Sequence, residues 1–387
     1  MEQINKMIPE LRFPEFVNDG EWIEEKLGVL SNVIIGGTPS TTVEEYWNGN
    51  IGWIGSGELK NDLIKSPTKY ITELGLKKSS TYLLPKNTTV LAMTGATLGK
   101  IGYLTFECCG NQSVAGFINL KNLNSKYLYY QLQNHTKQIF SFAGGGAQAG
   151  INKYNIENIL LQVPKNIDEK NKEQQKIADC LTSLDELITA HTDKLESLKN
   201  HKKGLLQNLL YQAIRFKQIN NQSYEDWKFV RFTDCCELIH GFQFREEHFT
   251  EKGIPIIKIG SLVDNGCLTF NNATYVDEKY RNSFSKFELK KGDILMALTG
   301  GTLGKVSRIN DDYGLIFQNY RVGKFEPKDN AIKDFIYYIL QSSLVQNKVK
   351  SLVNEAAQPN FGKQDFDKIE FFLPTIQEQQ KIADCLT

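Results

Sequence analysis

From Ile177 onward, Ile177, Leu181, Leu184, Ile188, His191, Leu195, Leu198, Lys202, Leu205 and Leu209 follow one another four and three residues apart in strict alternation. Residues at that spacing share one stripe of an α-helix, and a sustained repeat of this kind is the seam of a coiled coil. The predicted helix covers residues 171–213. At ~1.5 Å per residue, about 40 residues make a rod of roughly 60 Å. Gly204 and the polar His191 and Lys202 weaken the seam locally. On either side the pattern changes. Thr89–Met93 and Asp293–Ala297 are short apolar runs, each followed at once by a Thr-Gly turn, and they read as buried strands. Lys126–Phe140 and Ala331–Val349 have helical periodicity with aromatic anchors. The fold class is therefore α+β, with a long coiled-coil helix between mixed regions.

The mixed regions are copies of one another. Glu-Gln-Gln-Lys-Ile-Ala-Asp-Cys-Leu-Thr occurs at Glu173–Thr182 and again at Glu378–Thr387. At the same offset Thr94-Gly-Ala-Thr-Leu-Gly-Lys100 returns as Thr299-Gly-Gly-Thr-Leu-Gly-Lys305, Ile54-Gly-Ser56 as Ile259-Gly-Ser261, and Trp22 as Trp227. Leu11-Arg-Phe13 resembles Ile214-Arg-Phe216, Ala147-Gln148 matches Ala357-Gln358, and Val163-Pro164 matches Leu373-Pro374. So long a period is no solenoid; it is a duplicated domain plus a helix. The expected organisation is a first domain at 1–170, the central helix at 171–213, a second domain at 214–375, and the start of a second, truncated helix at 376–387. Two similar modules on a rigid spacer suit a two-part ligand. Duplex DNA is the natural one, because its major-groove face recurs about every 34 Å.

Composition narrows the class. A content of 41% hydrophobic and 23% charged residues is that of ordinary globular protein. No run of ~18 apolar residues marks a membrane span, and the opening residues lack the apolar core of a signal peptide. A cytoplasmic location is expected. Cys108, Cys109, Cys180, Cys235, Cys236, Cys267 and Cys385 form no Cys-x-x-Cys and imply neither a disulfide framework nor a metal site. Lys+Arg and Asp+Glu balance at 45 each, so any nucleic-acid binding depends on local patches rather than on net charge.

The chemical motifs fail. A phosphate loop needs Gly-x-x-x-x-Gly-Lys-Ser/Thr; here Gly95 and Gly99 are one residue too close, and Ile101 and Val306 stand where the hydroxyl belongs. The Thr-Gly segments are either strand-linking turns or places where Lys100 and Lys305 touch a DNA phosphate. There is no Pro-Pro for an amino-methyltransferase tetrapeptide. Asp19, Glu21, Glu24 and Lys26 are not repeated in the second half, and a solvated loop accounts for them better than a nuclease site. No cofactor and no metal are expected, and the chain reads as a non-catalytic binding protein.

The chain resembles the specificity subunits of Type I restriction–modification enzymes along essentially its whole length. The residues that carry the resemblance are Pro9-Glu-Leu-Arg-Phe-Pro-Glu15 before Trp22, Gly36-Gly-Thr-Pro-Ser40, Tyr46-Trp-Asn-Gly-Asn-Ile51, the strand with Thr-Gly-x-Thr-Leu-Gly-Lys, the Asn111-Gln112 and Gln318-Asn319 pairs, and the Glu-Gln-Gln-Lys-Ile-Ala helix start. The resemblance implies two target-recognition domains, each reading half of a split double-stranded DNA site. It implies helices packed as an antiparallel coiled coil. The implied partners are two methylation subunits, which use S-adenosylmethionine, and a restriction subunit, which uses ATP. The second helix, ten residues long here, departs from the pattern, and self-association through an uncovered seam of Ile177, Leu181, Leu184, Ile188, Leu195, Leu198, Leu205 and Leu209 is expected. The other class that fits is a tandem protein–protein scaffold that never touches DNA.

Segments that differ between the halves are where different sequences would be read. Bases are read chiefly by Arg, Lys, Asn and Gln. In or beside the variable stretches these are Lys60, Lys65, Asn111, Gln112 and Lys153 in the first half, and Arg245, Lys258, Arg308, Gln318, Asn319 and Arg321 in the second. With Lys100 and Lys305 they make up the expected DNA-binding set.

Overall fold

In the computed structural model of the chain, which describes residues 7–143, 150–165, 170–263, 267–355 and 360–387, the apolar run after Asn87 forms a strand, Thr89–Ala92, buried at every position. Its counterpart, Ile294–Ala297, is buried throughout as well. Successive side chains of a strand point to opposite faces, so an unbroken apolar run implies cover on both. Leu91 joins a cluster with Tyr127, Leu128 and Leu132, while Val90 and Ala92 join another with Ile54, Leu59 and Leu104. In the second copy Ile294 and Met296 face Phe325 and Phe335, and Leu295 and Ala297 face Ile257 and Leu262.

The chain divides into two units, Met1–Thr192 and Asp193–Thr387. Among the described residues, the first unit has a five-stranded sheet in the order Asn32–Ile35, Val114–Ile118, Thr89–Ala92, Ile101–Leu104, Asp62–Ile64. It also has a four-stranded sheet: Lys69–Ile71, Trp47–Ile54, Cys108–Gly110, Leu83–Leu84. The second unit repeats the plan. Cys236–His240, Val322–Pro327, Ile294–Ala297 and Val306–Arg308 form one sheet; Phe249–Thr250, Thr274–Val276, Ile254–Ile257, Ile316–Gln318 and Glu288–Leu289 form the other. A small antiparallel ribbon completes each unit, Trp22–Lys26 with Leu160–Pro164 and Lys228–Arg231 with Glu370–Leu373. The first ribbon corrects the loop reading of Glu24 and Lys26: both lie on a strand and are exposed, while Trp22 at its start is buried. The repeat match of Ala147-Gln148 with Ala357-Gln358 lies outside the described residues.

Each stretch of helical periodicity is two helices. Ser125–Asn134 begins at Asn124, whose side-chain oxygen accepts the N–H groups of Lys126 and Tyr127, and Thr136–Ser141 follows after His135. In the second unit Ser342 is extended and separates Lys333–Gln341 from Ser343–Glu355.

The linking helix runs from Lys170 to Leu210. Its start is tied to the first unit by Gln174, whose side chain accepts the Asn124 N–H and donates to Asn122 O. Gln379, at the matching place on the helix Ile376–Leu386, accepts the Ile332 N–H and donates to Asn330 O and Pro374 O. The expected seam is spent unevenly. Ile177 and Leu181 are half-buried, and Leu205 packs partly against the second unit. Leu209 belongs to the second unit's core, in one cluster with Ile382 and Leu386 of the helix Ile376–Leu386. Between these ends Leu184, Ile188, Leu195 and Leu198, joined by Leu187, are each at least 50% exposed. Among the described residues no helix is long and apolar enough to cross a membrane.

Candidate nucleic-acid interface

In each unit several strand ends meet at one turn. Asn111 follows the strand Cys108–Gly110. Its N–H donates to Ile54 O (2.9 Å), and its side-chain oxygen accepts the Ser113 N–H (3.0 Å). Met93 N–H donates to Ser113 O (2.8 Å) and Gly37 N–H to Gly110 O (2.9 Å). The second unit builds the same turn from Asn319, Tyr320 and Arg321. Asn319 N–H donates to Ile257 O (3.1 Å), and its side chain accepts the Arg321 N–H (3.2 Å). Leu298 N–H donates to Arg321 O (2.9 Å) and Phe242 N–H to Gln318 O (3.0 Å). The neighbouring segment must be glycine because the backbones nearly touch. A Cβ on Gly36 would lie 2.1 Å from Gly110 O, and one on Gly241 2.3 Å from Gln318 O.

The Thr-Gly segments lie beside these turns. In the first, Leu98, Gly99 and Lys100 donate their N–H groups to Gly95 O, Ala92 O and Thr97 O; Leu303, Gly304 and Lys305 do the same in the second. Gly95 and Gly99 have φ of +71° and +77°, and Gly300 and Gly304 +76° and +84°, conformations that favour glycine. A phosphate loop directs such N–H groups at its ligand; here they close a strand-linking turn. Thr94 Oγ1 donates to Ser113 Oγ (2.7 Å), which couples this loop to the turn at Asn111. Lys100 is exposed and Lys305 half-buried.

The expected DNA-binding residues separate into groups. In the first unit Asn111 fixes the turn and Gln112 is exposed on it, accepting a hydrogen bond from Thr38 Oγ1 (2.6 Å). In the second, Lys258, Asn319 and Arg321 line one cleft of about 190 Å³ with Phe244, Phe249, Ile259 and Tyr320. Lys258 donates to Thr274 Oγ1 (2.6 Å) and lies 5.3 Å from the Phe249 ring centre. Burial lowers its pKa from the ordinary lysine value. Gln318 is different. It is 1% exposed, and its amide nitrogen donates to Ile239 O and Val322 O, so it joins strands and has no face toward a ligand. Arg308 pairs with Asp334 and lies against Tyr337. Lys60 and Lys65 are exposed near the strand Asp62–Ile64. Lys153 opens the short helix Lys153–Glu157 and pairs with Glu157 at 3.7 Å. Arg245 is exposed next to Phe244 of the cleft wall. Residue-type reasoning passed over Thr38, Tyr320 and Phe249; only their position beside the turns marks them. No group of acidic, histidine and cysteine side chains among the described residues is placed to hold a metal ion.

Residues 19–200 and 224–387 match the family model of the Type I restriction modification DNA specificity domain. The chain belongs to this family. Recognition of a DNA target is the family's role, and the tandem match follows the duplication seen in both sequence and fold. Among relatives, the chain is 26% identical over 387 aligned residues to the Type I restriction enzyme MjaVIII specificity subunit of Methanocaldococcus jannaschii, covering 97% of this chain and 86% of that protein. It is 28% identical over 212 residues to the EcoR124I/EcoR124II specificity subunit of Escherichia coli, which spans 52% of this chain and 51% of that one. Among solved structures, the S subunit of a type I restriction–modification system from M. genitalium shares the fold, with a TM-score of 0.62 at 17% identity, covering 98% of this chain and 91% of the other.

Proposed function

We propose that this specificity-family chain reads a bipartite duplex target, one half-site per unit, and that it positions two methylation subunits and a restriction subunit without a catalytic centre of its own. The observation that supports this reading is the turn built twice, at Asn111–Ser113 and at Asn319–Arg321, with the same backbone bonds and different outward side chains. A common frame with variable tips is what two different half-sites require. Base edges are read by side chains, while phosphate contacts set position. Gln112, Lys258 and Arg321 are assigned to bases, and Lys100 and Lys305 to phosphates. The recognition domains are placed at 1–170 and 214–375, on either side of the helix at 171–213, and the complex works in the cytoplasm. Footprinting of the chain together with its methylation subunits tests this. Two protected blocks flanking an unprotected spacer are expected. A complex that assembles but protects no DNA would instead favour the scaffold function.

A further inference from the structure

The turn of the second unit carries an exposed arginine, Arg321. We propose that Arg321 reads a guanine in the half-site of the second unit, and that Tyr320 positions it; this rests on the DNA-reading role proposed above. Arg321 stands where the first unit has Ser113: both donate their N–H to the preceding Asn side chain, and both carbonyls accept from the neighbouring strand end. The backbone therefore holds the turn whatever the side chain is. The Arg321 guanidinium is exposed and constrained. Its Nε donates to Tyr320 OH (2.8 Å), and its centre lies 5.3 Å from the Tyr320 ring centre. Among the described residues neither terminal nitrogen has a protein partner. A guanidinium held by its Nε offers those two nitrogens end-on, the fork that matches guanine O6 and N7.

The surroundings favour a base edge over a phosphate. The adjoining cleft has the aromatic walls Phe244 and Phe249, and its ammonium, Lys258, donates one of its three hydrogens to Thr274. A phosphate gains nothing from such walls, whereas the flat edge of a base pair gains apolar contact beside its hydrogen bonds. Pre-orientation by Tyr320 also removes rotamer freedom that a free arginine would lose on binding.

The test is selection from a randomised duplex DNA library by the chain with its methylation subunits. The wild type should return a guanine fixed at one position of one half-site. Arg321→Gln and Arg321→Lys should relax or change that position alone and leave the other half-site intact. Replacing that guanine by 7-deazaguanine should weaken wild-type binding roughly tenfold and leave Arg321→Ala unaffected. Tyr320→Phe should loosen the same position with an unchanged salt dependence. If Arg321→Ala weakens all sequences equally and lowers the log-affinity versus log-salt slope by about 1, the residue meets a phosphate and the proposal is overturned. Unchanged selection by all variants overturns it too. A wild-type complex that selects no sequence at all overturns the DNA-reading function itself, a different result.

Discussion

Arg215 grips the fully buried carboxylate of Glu378 with two nitrogens, Nε to Oε1 at 3.2 Å and a terminal nitrogen to Oε2 at 2.9 Å. Trp227 Nε1 donates to the same Oε2 at 2.7 Å. The first unit repeats the arrangement with Arg12, Trp22 and Glu173. The glutamate opens the repeated decapeptide; the arginine and tryptophan come from the segment leading into each unit. The decapeptide is thus the point where each helix is locked to its domain, and Gln174 and Gln379 extend the lock by capping backbone groups.

A buried carboxylate is tolerated only while its partners remain, and so are the partners. Glu378→Ala leaves the Trp227 N–H without its acceptor and takes from the Arg215 guanidinium its buried carboxylate, leaving it Tyr224 O, Glu225 O and Asp226. The expected cost is about 3 kcal/mol, at the low end of the range for breaking buried pairs because Arg215 is partly exposed. Urea unfolding followed by tryptophan fluorescence measures it. A midpoint equal to wild type would show that the pair adds nothing to stability.

Much of this was legible in the sequence. Continuous apolar runs gave strands covered on both faces, because such runs have no polar side to leave wet. The repeat marked Glu173 and Glu378, although not what they hold. The seam periodicity located the linking helix but not its use: Leu209 and Leu198 look alike along the chain, and only tertiary packing puts one in a core and leaves the other in water. Gln318 shows the same limit. Its residue type suits base reading, yet the backbone turns it inward to two carbonyls. The meeting of strand ends at Asn111 and Asn319 depends on parallel pairing of segments far apart in sequence, Trp47–Ile54 with Cys108–Gly110 and Ile254–Ile257 with Ile316–Gln318, which no local pattern encodes.

The cysteines should fall into two reactivity classes. Burial pushes the Cys108 thiol up to about 12, Cys109 to about 11 and Cys235 to about 12, and raises Cys236 as well. A raised pKa means less thiolate at pH 8, and thiolate is the nucleophile. Cys180, Cys267 and Cys385 are exposed. Ellman's reagent should therefore titrate three thiols in the native chain and the remaining four only after denaturation. Rapid reaction of all seven in the folded protein would contradict the burial of the Cys108-Cys109 and Cys235-Cys236 pairs.

Lys100 extends from the Thr-Gly turn into solvent. If it meets a phosphate, Lys100→Ala should weaken binding of the assembled complex to every sequence alike and lower the salt slope by ~1. The backbone bonds of the turn do not use its side chain, so the fold should survive. A changed target preference would assign Lys100 to a base instead.

Exchanging Trp22–Pro164 for the matching region of another family member should replace one half of the target and keep the other. The motivation is the self-contained core of the first unit, with its own sheets and its own locked helix start. Sequencing methylated positions in a strain carrying the exchange decides it. Simultaneous change in both half-sites, from a folded protein, would mean that the units do not read independently.

The exposed middle of the linking helix should drive association. Leu184, Leu187 and Ile188 are followed on the same helix by Leu195 and Leu198, all of them at least half exposed, whereas Ala178 near its start and Leu206, Leu209 and Leu210 at its end are buried. Apolar surface gains about 25 cal/mol per Å² when removed from water, so a row of five large side chains left wet forgoes several kcal/mol of burial. Cover from a second chain, of this protein or of a methylation subunit, recovers it. The purified chain is therefore expected to self-associate at micromolar concentration, and methylation subunits should compete with that association. Leu195→Lys with Leu198→Lys places two charges in the row and should shift the chain toward monomer, with both units still folded because neither side chain belongs to a core. Light scattering coupled to size exclusion reads the outcome. A wild-type monomer throughout that range, indifferent to the double substitution, would show that this row of side chains drives no self-association.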